Sequence, residues 1–171
     1  MLKPGQKVPS LDLELTIDAQ YDLAKQDPEN FTMVVFYRGK HCPICKGYLE
    51  ELGSKLDRFT KHGINVVAVS MDAKERAMVV DREWNTGDVP LAYDMSEDKA
   101  REWGLYISQK REGSDEPEIF SEPGLFLVKP DGTLYFAQVQ NAPFTRPSLD
   151  QLLEGVEYVL QNDYPIRGTL T

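Results

Sequence analysis

The two cysteines of the chain, Cys42 and Cys45, are the residues best suited to chemistry. They lie three positions apart in the segment Cys-Pro-Ile-Cys. Two thiols this close cannot tie distant parts of a chain together, and a secreted disulfide scaffold contains more cysteines at wider spacing. One thiol can, however, reach the other to close a disulfide. We therefore predict a redox-active pair rather than a structural bridge.

A buried strand and a helix must position this pair. Residues 31–37 form a nearly continuous apolar run, which is typical of a strand buried on both faces of a sheet. Apolar residues then recur at helical spacing over residues 43–62, and residues 64–70 predict a second buried strand. Cys42 therefore lies at a helix start, where unpaired N–H groups and the helix dipole stabilise a thiolate, which is the reactive form of the residue.

Four side chains that can carry a positive charge lie within four positions of the pair in the sequence: Arg38, Lys40, His41 and Lys46. A free thiol with a pKa of about 8.5 is only roughly 3% ionised at pH 7. Lowering that pKa to about 7 makes roughly half of the thiol ionised. Position thus favours Cys42 as the nucleophile and Cys45, one helical turn further on, as the thiol that resolves it.

Two other interpretations compete with redox chemistry. A buried cysteine is often an inert small hydrophobic residue, although a pair at a strand-to-helix junction is less typical of that role. A structural zinc site needs four ligands, and only His41 and His62 could join the cysteines. His41 adjoins Cys42 too closely to chelate comfortably, so we expect no metal and no other cofactor.

The remaining pattern predicts an α/β fold with a central mixed sheet, helices on both faces and an N-terminal β-hairpin, within a single domain over residues 1–171. Residues 110–116 predict a solvated loop, and a turn at 129–132 predicts a late hairpin. Residues 148–151 form a capping box before the last helix. Trp84 and Trp103 lie on apolar helix faces and are expected in the core, whereas residues 162–171 give no prediction.

Composition excludes several classes of function. The 171 residues are 41% hydrophobic and 27% charged, which is typical of a globular protein. A net charge of −9 argues against nucleic acid and against an acidic membrane surface as partners. No apolar run is long enough to span a bilayer, and residues 1–7 lack the apolar stretch of a secretory signal. We therefore expect a cytoplasmic protein.

Three segments resemble a known family. Residues 36–46, Phe-Tyr-Arg-Gly-Lys-His-Cys-Pro-Ile-Cys-Lys, resemble the active-site segment of the thioredoxin superfamily. Residues 91–105 and the hairpin at 124–132 resemble its peroxiredoxin-like branch, the alkyl hydroperoxide reductase and thiol-specific antioxidant family. The resemblance implies a thioredoxin-like fold, a peroxidatic Cys42 and a resolving Cys45.

The chain also departs from that family. Gly39 occupies the position where peroxiredoxins usually carry Thr or Ser, Pro123 replaces their arginine at the start of the late strand, and their second cysteine usually lies elsewhere. Pro123 instead resembles the cis-proline of thioredoxins, so we predict a cis bond after Glu122, with the ring beside the cysteines. The buried acid of thioredoxins is absent, because Val34 and Val35 occupy that stretch.

Two arginines are candidate supporting residues. Arg38 is either a solvated surface residue or a ligand of a substrate oxygen or of the Cys42 thiolate. Arg146 is a candidate for the missing peroxiredoxin arginine.

Three functions are consistent with these patterns: a hydroperoxide-reducing thiol peroxidase, a thiol–disulfide oxidoreductase, and a non-catalytic redox-sensing module. The expected partners of an enzyme are a peroxide or disulfide substrate and an external dithiol reductant. A homodimer is one option for its assembly.

Overall fold

A seven-stranded mixed sheet forms the centre of the computed structural model, which describes residues 2–170. The strands are β1 (Asp12–Leu15), β2 (Ala19–Asp22), β3 (Phe31–Phe36), β4 (Ile64–Val69), β5 (Leu91–Ala92), β6 (Ile107–Gln109), β7 (Ile119–Ser121), β8 (Gly124–Val128) and β9 (Leu134–Val139). The α-helices are α1 (Pro43–Lys61), α2 (Lys74–Glu83), α3 (Glu97–Glu102) and α4 (Leu149–Asn162).

The strand order in the main sheet is β2-β1-β5-β4-β3-β8-β9, while β6 and β7 form a separate two-stranded sheet. β3 lies in the interior of the sheet, parallel to β4 on one side and antiparallel to β8 on the other. The connection from β3 through α1 to β4 is the βαβ unit that the sequence predicts. β1 and β2 form the predicted N-terminal hairpin.

Alternate side chains of β3 point into two separate apolar clusters. Met33 and Val35 join the cluster that includes residues of α1, α2 and α4. Val34 and Phe36 join the opposite cluster, which includes Trp103 at the end of α3. The four β3 side chains are fully buried, so both faces of the sheet are covered and the predicted architecture is confirmed.

The local predictions in the second half of the chain are largely confirmed. β8 and β9 pair as the late hairpin, and the Ser148 hydroxyl caps α4 by accepting a hydrogen bond from the Gln151 N–H at 3.4 Å. Trp84 and Trp103 are buried. Within residues 2–170, none of the helices combines the length and the hydropathy that a bilayer-spanning segment requires. The single-domain prediction includes Met1 and Thr171, which lie outside the described residues.

The prediction of a solvated loop over residues 110–116 is wrong in one respect. Glu116 is only 4% exposed, and its carboxylate accepts hydrogen bonds from the backbone and the guanidinium of Arg111. The hydroxyl of Ser114 donates to the same carboxylate. These bonds hold together the loop that joins β6 to β7, a hairpin that the sequence analysis does not predict.

The predicted cis bond before Pro123 is also wrong, because the described residues contain no cis peptide bond. Pro123 is buried between β7 and β8, where the chain passes from the small sheet to the main sheet. Its carbonyl accepts a hydrogen bond from the Gln140 N–H at 3.0 Å. The missing N–H of a proline suits this change of pairing partner without a cis turn.

Candidate active site

Cys42 is the N-cap residue of α1. Its backbone is extended, with φ −104° and ψ 100°, and its Sγ accepts a hydrogen bond from the Cys45 N–H at 3.1 Å. Pro43 occupies the first helical turn, where its lack of an N–H costs nothing. The Cys42 sulfur therefore takes the place of the oxygen that usually caps a helix, at the positive end of the helix dipole.

Cys45 lies one turn into α1 and is joined to Cys42 by a disulfide. The two Cα atoms are 5.2 Å apart, a separation within the range that disulfides require. Cys42 is 2% exposed and Cys45 is fully buried. The prediction that the two thiols can reach each other is confirmed.

Arg146 approaches the pair from the loop before α4. Its Nη2 donates a hydrogen bond to Cys45 Sγ at 3.1 Å, and its Nη1 donates to the Pro143 carbonyl at 2.9 Å. The guanidinium carbon lies 5.1 Å from the centre of the Tyr48 ring. Burial lowers the pKa of Arg146 to about 10, so the group still carries its charge at neutral pH.

Arg38 is engaged by a carboxylate rather than by a sulfur. Its Nε and Nη2 donate to the two oxygens of Glu122 at 2.7 and 2.8 Å, and the Ser108 hydroxyl donates to the same carboxylate at 2.6 Å. The Arg38 side chain is 21% exposed and that of Glu122 is 2% exposed. This ion pair connects the segment after β3 to the segment between β7 and β8.

His41 packs its ring against Phe120, with 4.7 Å between the ring centres. Neither of its ring nitrogens has a hydrogen-bond partner among the described residues. Burial lowers the pKa of His41 below its ordinary value of 6.5. His41 is therefore largely uncharged at neutral pH and does not supply the positive charge expected at the sulfurs. The Lys46 Nζ lies 3.9 Å from a carboxylate oxygen of Glu50, and its side chain is 44% exposed.

Gly39 has a φ of +126°, a conformation that residues with a side chain rarely adopt. A Cβ on Gly39 would lie 2.6 Å from each carboxylate oxygen of Asp72. The Asp72 side chain is fully buried and accepts hydrogen bonds from the Lys40 N–H at 2.7 Å and from Arg76 Nε at 3.0 Å. Asp72 thus fixes the loop before Cys42. It also leaves no room at position 39 for the Thr or Ser that peroxiredoxins usually carry there.

The sequence analysis did not identify several residues at this site: Tyr48, Asp72, Phe120 and Glu122. Only Asp72 had a usable signal, since it follows β4 and the carboxyl ends of the parallel strands β3 and β4 meet at one edge of the sheet. Buried acids are therefore present near the cysteine loop, but they come from other elements than the strand at Val34 and Val35.

Comparison with known proteins gives the family. A model of the AhpC/TSA family matches residues 4–137. The chain belongs to this family. It is 27% identical over 137 residues to a Mycobacterium tuberculosis protein named as a peroxiredoxin, covering 80% of this chain and 85% of that protein. It is 25% identical over 138 residues to an alkyl hydroperoxide reductase C of Staphylococcus saprophyticus, covering 78% and 69% of the two chains.

Solved structures of peroxiredoxins have the same fold as this AhpC/TSA-family chain. The reduced 2-Cys peroxiredoxin of Plasmodium vivax superposes with a TM-score of 0.77 at 16% identity, covering 95% of this chain and 84% of that one. The peroxidoxin BcpB of Mycobacterium tuberculosis gives a TM-score of 0.70 at 16% identity, covering 96% and 100%. At these identities the likeness concerns the fold, and the predicted thioredoxin-like architecture is confirmed.

Proposed function

We propose that this protein is a thiol-dependent peroxidase in which Cys42 attacks the peroxide and Cys45 resolves it. The placement of Cys42 Sγ at the N-cap of α1, bonded to the Cys45 N–H, carries this assignment. Membership of the AhpC/TSA family supports the same reaction. The Cys45 N–H and the helix dipole stabilise the Cys42 thiolate that the first step needs.

In the first step the Cys42 thiolate attacks one oxygen of the peroxide and the O–O bond breaks. The leaving oxygen takes a proton and departs as water or an alcohol. The sulfur is oxidised to a sulfenic acid. Because Cys42 is only 2% exposed, a small peroxide is better suited than a folded protein to reach this sulfur.

In the second step Cys45 sulfur attacks the oxidised Cys42 sulfur. The S–S bond forms, the S–O bond breaks and the hydroxide takes a proton to leave as water. An external dithiol then reduces the disulfide by two exchange reactions through a mixed disulfide. The Cα separation of 5.2 Å allows this closure within the first turn of α1.

A thiol–disulfide oxidoreductase is the second candidate, and the Cys-x-x-Cys spacing at a helix start favours it. Gly39 adds support, because it leaves the site without the hydroxyl side chain usual in peroxiredoxins. The trans peptide before Pro123 removes the other main reason for this candidate.

Two assays on one pre-reduced sample separate the candidates. A peroxidase consumes one equivalent of hydrogen peroxide in a rapid single turnover, while its rate of insulin disulfide reduction stays near the uncatalysed rate. The control variant, Cys42→Ser, should lose peroxide consumption. Fast insulin reduction with slow peroxide consumption would instead establish the oxidoreductase, and inactivity in both assays would leave the redox-sensing module.

The remaining assignments follow from this chemistry. We propose a peroxide as substrate, an external dithiol as reductant and a reducing compartment such as the cytoplasm as the place of action. A homodimer remains one option for the assembly, to be tested by sedimentation.

A further inference from the structure

We propose that Arg146 is a catalytic residue for Cys45 rather than for Cys42. It stabilises the Cys45 thiolate when that thiolate attacks oxidised Cys42 and when it leaves during reduction of the disulfide. The inference rests on the proposed function for the first of these steps, while the second applies to any dithiol–disulfide cycle at this site.

The two sulfurs have different hydrogen-bond donors. Cys42 Sγ accepts from a backbone N–H at the start of α1, whereas Cys45 Sγ accepts from the Arg146 guanidinium, with both distances 3.1 Å. Cys45 is fully buried, and burial alone disfavours a thiolate. A charged donor in contact with the sulfur has the opposite effect, and donors of this kind form roughly twice as strong a bond as neutral ones.

Arg146 is held in place before any thiolate forms. Its guanidinium stacks on Tyr48, which lies three residues after Cys45 on the same helix. The Tyr48 hydroxyl donates to the Pro147 carbonyl at 2.9 Å, and Arg146 Nη1 donates to the Pro143 carbonyl. These contacts fix the loop on both sides of the arginine relative to the sulfur, so Tyr48 is a positioning residue.

The positive charge of Arg146 is not compensated by a carboxylate among the described residues. Among residues 2–170, no carboxylate forms a salt bridge with Arg146, and its Nε is buried without a hydrogen-bond partner. The buried carboxylate of Glu122 is bonded on both oxygens to Arg38. A thiolate on Cys45 would therefore be the anionic partner that this guanidinium lacks.

The chemistry places a negative charge on Cys45 in both directions of the cycle. During resolution the Cys45 thiolate supplies the electron pair of the new S–S bond, and hydroxide leaves Cys42 and is protonated. During reduction an external thiolate attacks Cys42 Sγ, the S–S bond breaks, and Cys45 leaves with the electron pair. A thiol of lower pKa leaves faster, so contact with Arg146 accelerates this exchange.

Thiolate absorbance at 240 nm tests the assignment one sulfur at a time. Cys42→Ser leaves Cys45 alone and Cys45→Ser leaves Cys42 alone, and each is titrated with Arg146 intact and with Arg146→Met. We expect Arg146→Met to raise the pKa of Cys45 by at least one unit and to shift that of Cys42 much less. Arg146→Lys should restore part of the effect on Cys45. A shift confined to Cys42 would overturn the proposal.

A kinetic measurement gives a second readout with both cysteines present. Reduction of the disulfide by dithiothreitol should be severalfold slower in Arg146→Met, because a leaving thiol of higher pKa leaves more slowly. Tyr48→Leu, which removes the stacking surface, should slow reduction in the same direction by a smaller factor. Circular dichroism verifies that each variant is folded. Unchanged reduction rates in both variants would also refute the proposal.

This test is independent of peroxide activity. If the wild-type protein fails to consume peroxide, the proposed peroxidase function is wrong, but the titrations and the dithiothreitol rates still decide the role of Arg146. If peroxide is consumed and both sulfurs keep their pKa values in Arg146→Met, the function stands and the assignment of Arg146 fails.

Discussion

The Cα of Gly39 approaches the buried carboxylate of Asp72 so closely that no side chain fits between them. A Cβ at Gly39 would lie 2.6 Å from either carboxylate oxygen. The same carboxylate accepts the Lys40 N–H, so the close approach and the hydrogen bond belong to one loop conformation. The loop that precedes the nucleophile therefore depends on a glycine and an acid rather than on a hydroxyl residue.

This relationship predicts that Gly39→Ala is destabilising. The variant combines a φ of +126° with a collision at a buried charge, and strain of this kind costs of order 1–3 kcal/mol. Gly47→Ala is the matched control, because a Cβ there meets no atom within 4 Å and a helical Gly→Ala change stabilises by roughly 0.5–1 kcal/mol. Urea unfolding measures both, and equal stabilities for the two variants would contradict the structure.

Removing one partner of the ion pair between Arg38 and Glu122 should cost more than removing both. Arg38→Met leaves a carboxylate that is 2% exposed without its partner, and such changes cost about 3–5 kcal/mol for fully buried pairs. Because Arg38 is 21% exposed, we expect a value toward the lower end. In Arg38→Met/Glu122→Gln the unpaired charge is gone, so a double-mutant cycle should show a coupling of at least about 1 kcal/mol. Strict additivity in chemical unfolding would mean that the pair contributes nothing.

Limiting iodoacetamide at pH 7 should label Cys42 before Cys45 in the reduced protein. Cys42 lies at the start of α1 and is 2% exposed, whereas Cys45 lies one turn into the helix and is fully buried. Peptide mass mapping after partial alkylation gives the order. Cys45→Ser should complete one attack on peroxide and then accumulate sulfenic acid, and Cys42→Ser should fail at the first step. Earlier labelling of Cys45 would reverse the two roles.

His41 should make the protein less stable as the pH falls below about 6.5. Burial lowers the pKa of His41 in the folded protein, so the unfolded chain binds its proton first. Above pH 6.5, the pKa of a histidine in the unfolded chain, His41 is neutral in both states and costs no stability. As the pH falls from 6.5 toward the lower pKa of the folded protein, the unfolded chain takes up the proton first and the free energy of unfolding decreases. His41→Phe, which keeps a ring against Phe120, should flatten this pH dependence between pH 6.5 and 5.

A direct measurement of the His41 pKa checks the same prediction. The C2 proton of His41 in NMR gives the pKa directly, and a value above 6.5 would refute the prediction.

Local periodicity was sufficient to predict most of the fold. The apolar run of β3 and the helical repeat of α1 each occur in one continuous segment, so the strand, the helix and the cysteine between them could be placed from the sequence. β6 and β7 were missed because each has only three residues, too few to show an alternating pattern. Their pairing depends on contacts between the strands and not on either segment alone.

The surroundings of the cysteines were less predictable, since they come from distant parts of the chain. Arg146 is 101 positions from the sulfur it contacts, and Glu122 is 84 positions from Arg38. Sequence proximity instead favoured the cations next to the cysteines, although His41 is largely neutral and the charge of Arg38 is compensated by the Glu122 carboxylate. Spacing can identify a nucleophile, but tertiary structure decides which charges reach it.

The short distance between the two cysteines has a consequence for survival under oxidative stress. A sulfenic acid on Cys42 has two fates: capture by Cys45 or a second oxidation to a sulfinic acid, which most proteins cannot reverse. The second oxidant arrives at a rate set by its concentration in solution, whereas Cys45 is held on the same helical turn with Cα atoms 5.2 Å apart. A tethered neighbour of this kind acts at a very high effective molarity. Capture also requires no unwinding of α1, so the protein should tolerate peroxide doses that inactivate enzymes whose second thiol must travel.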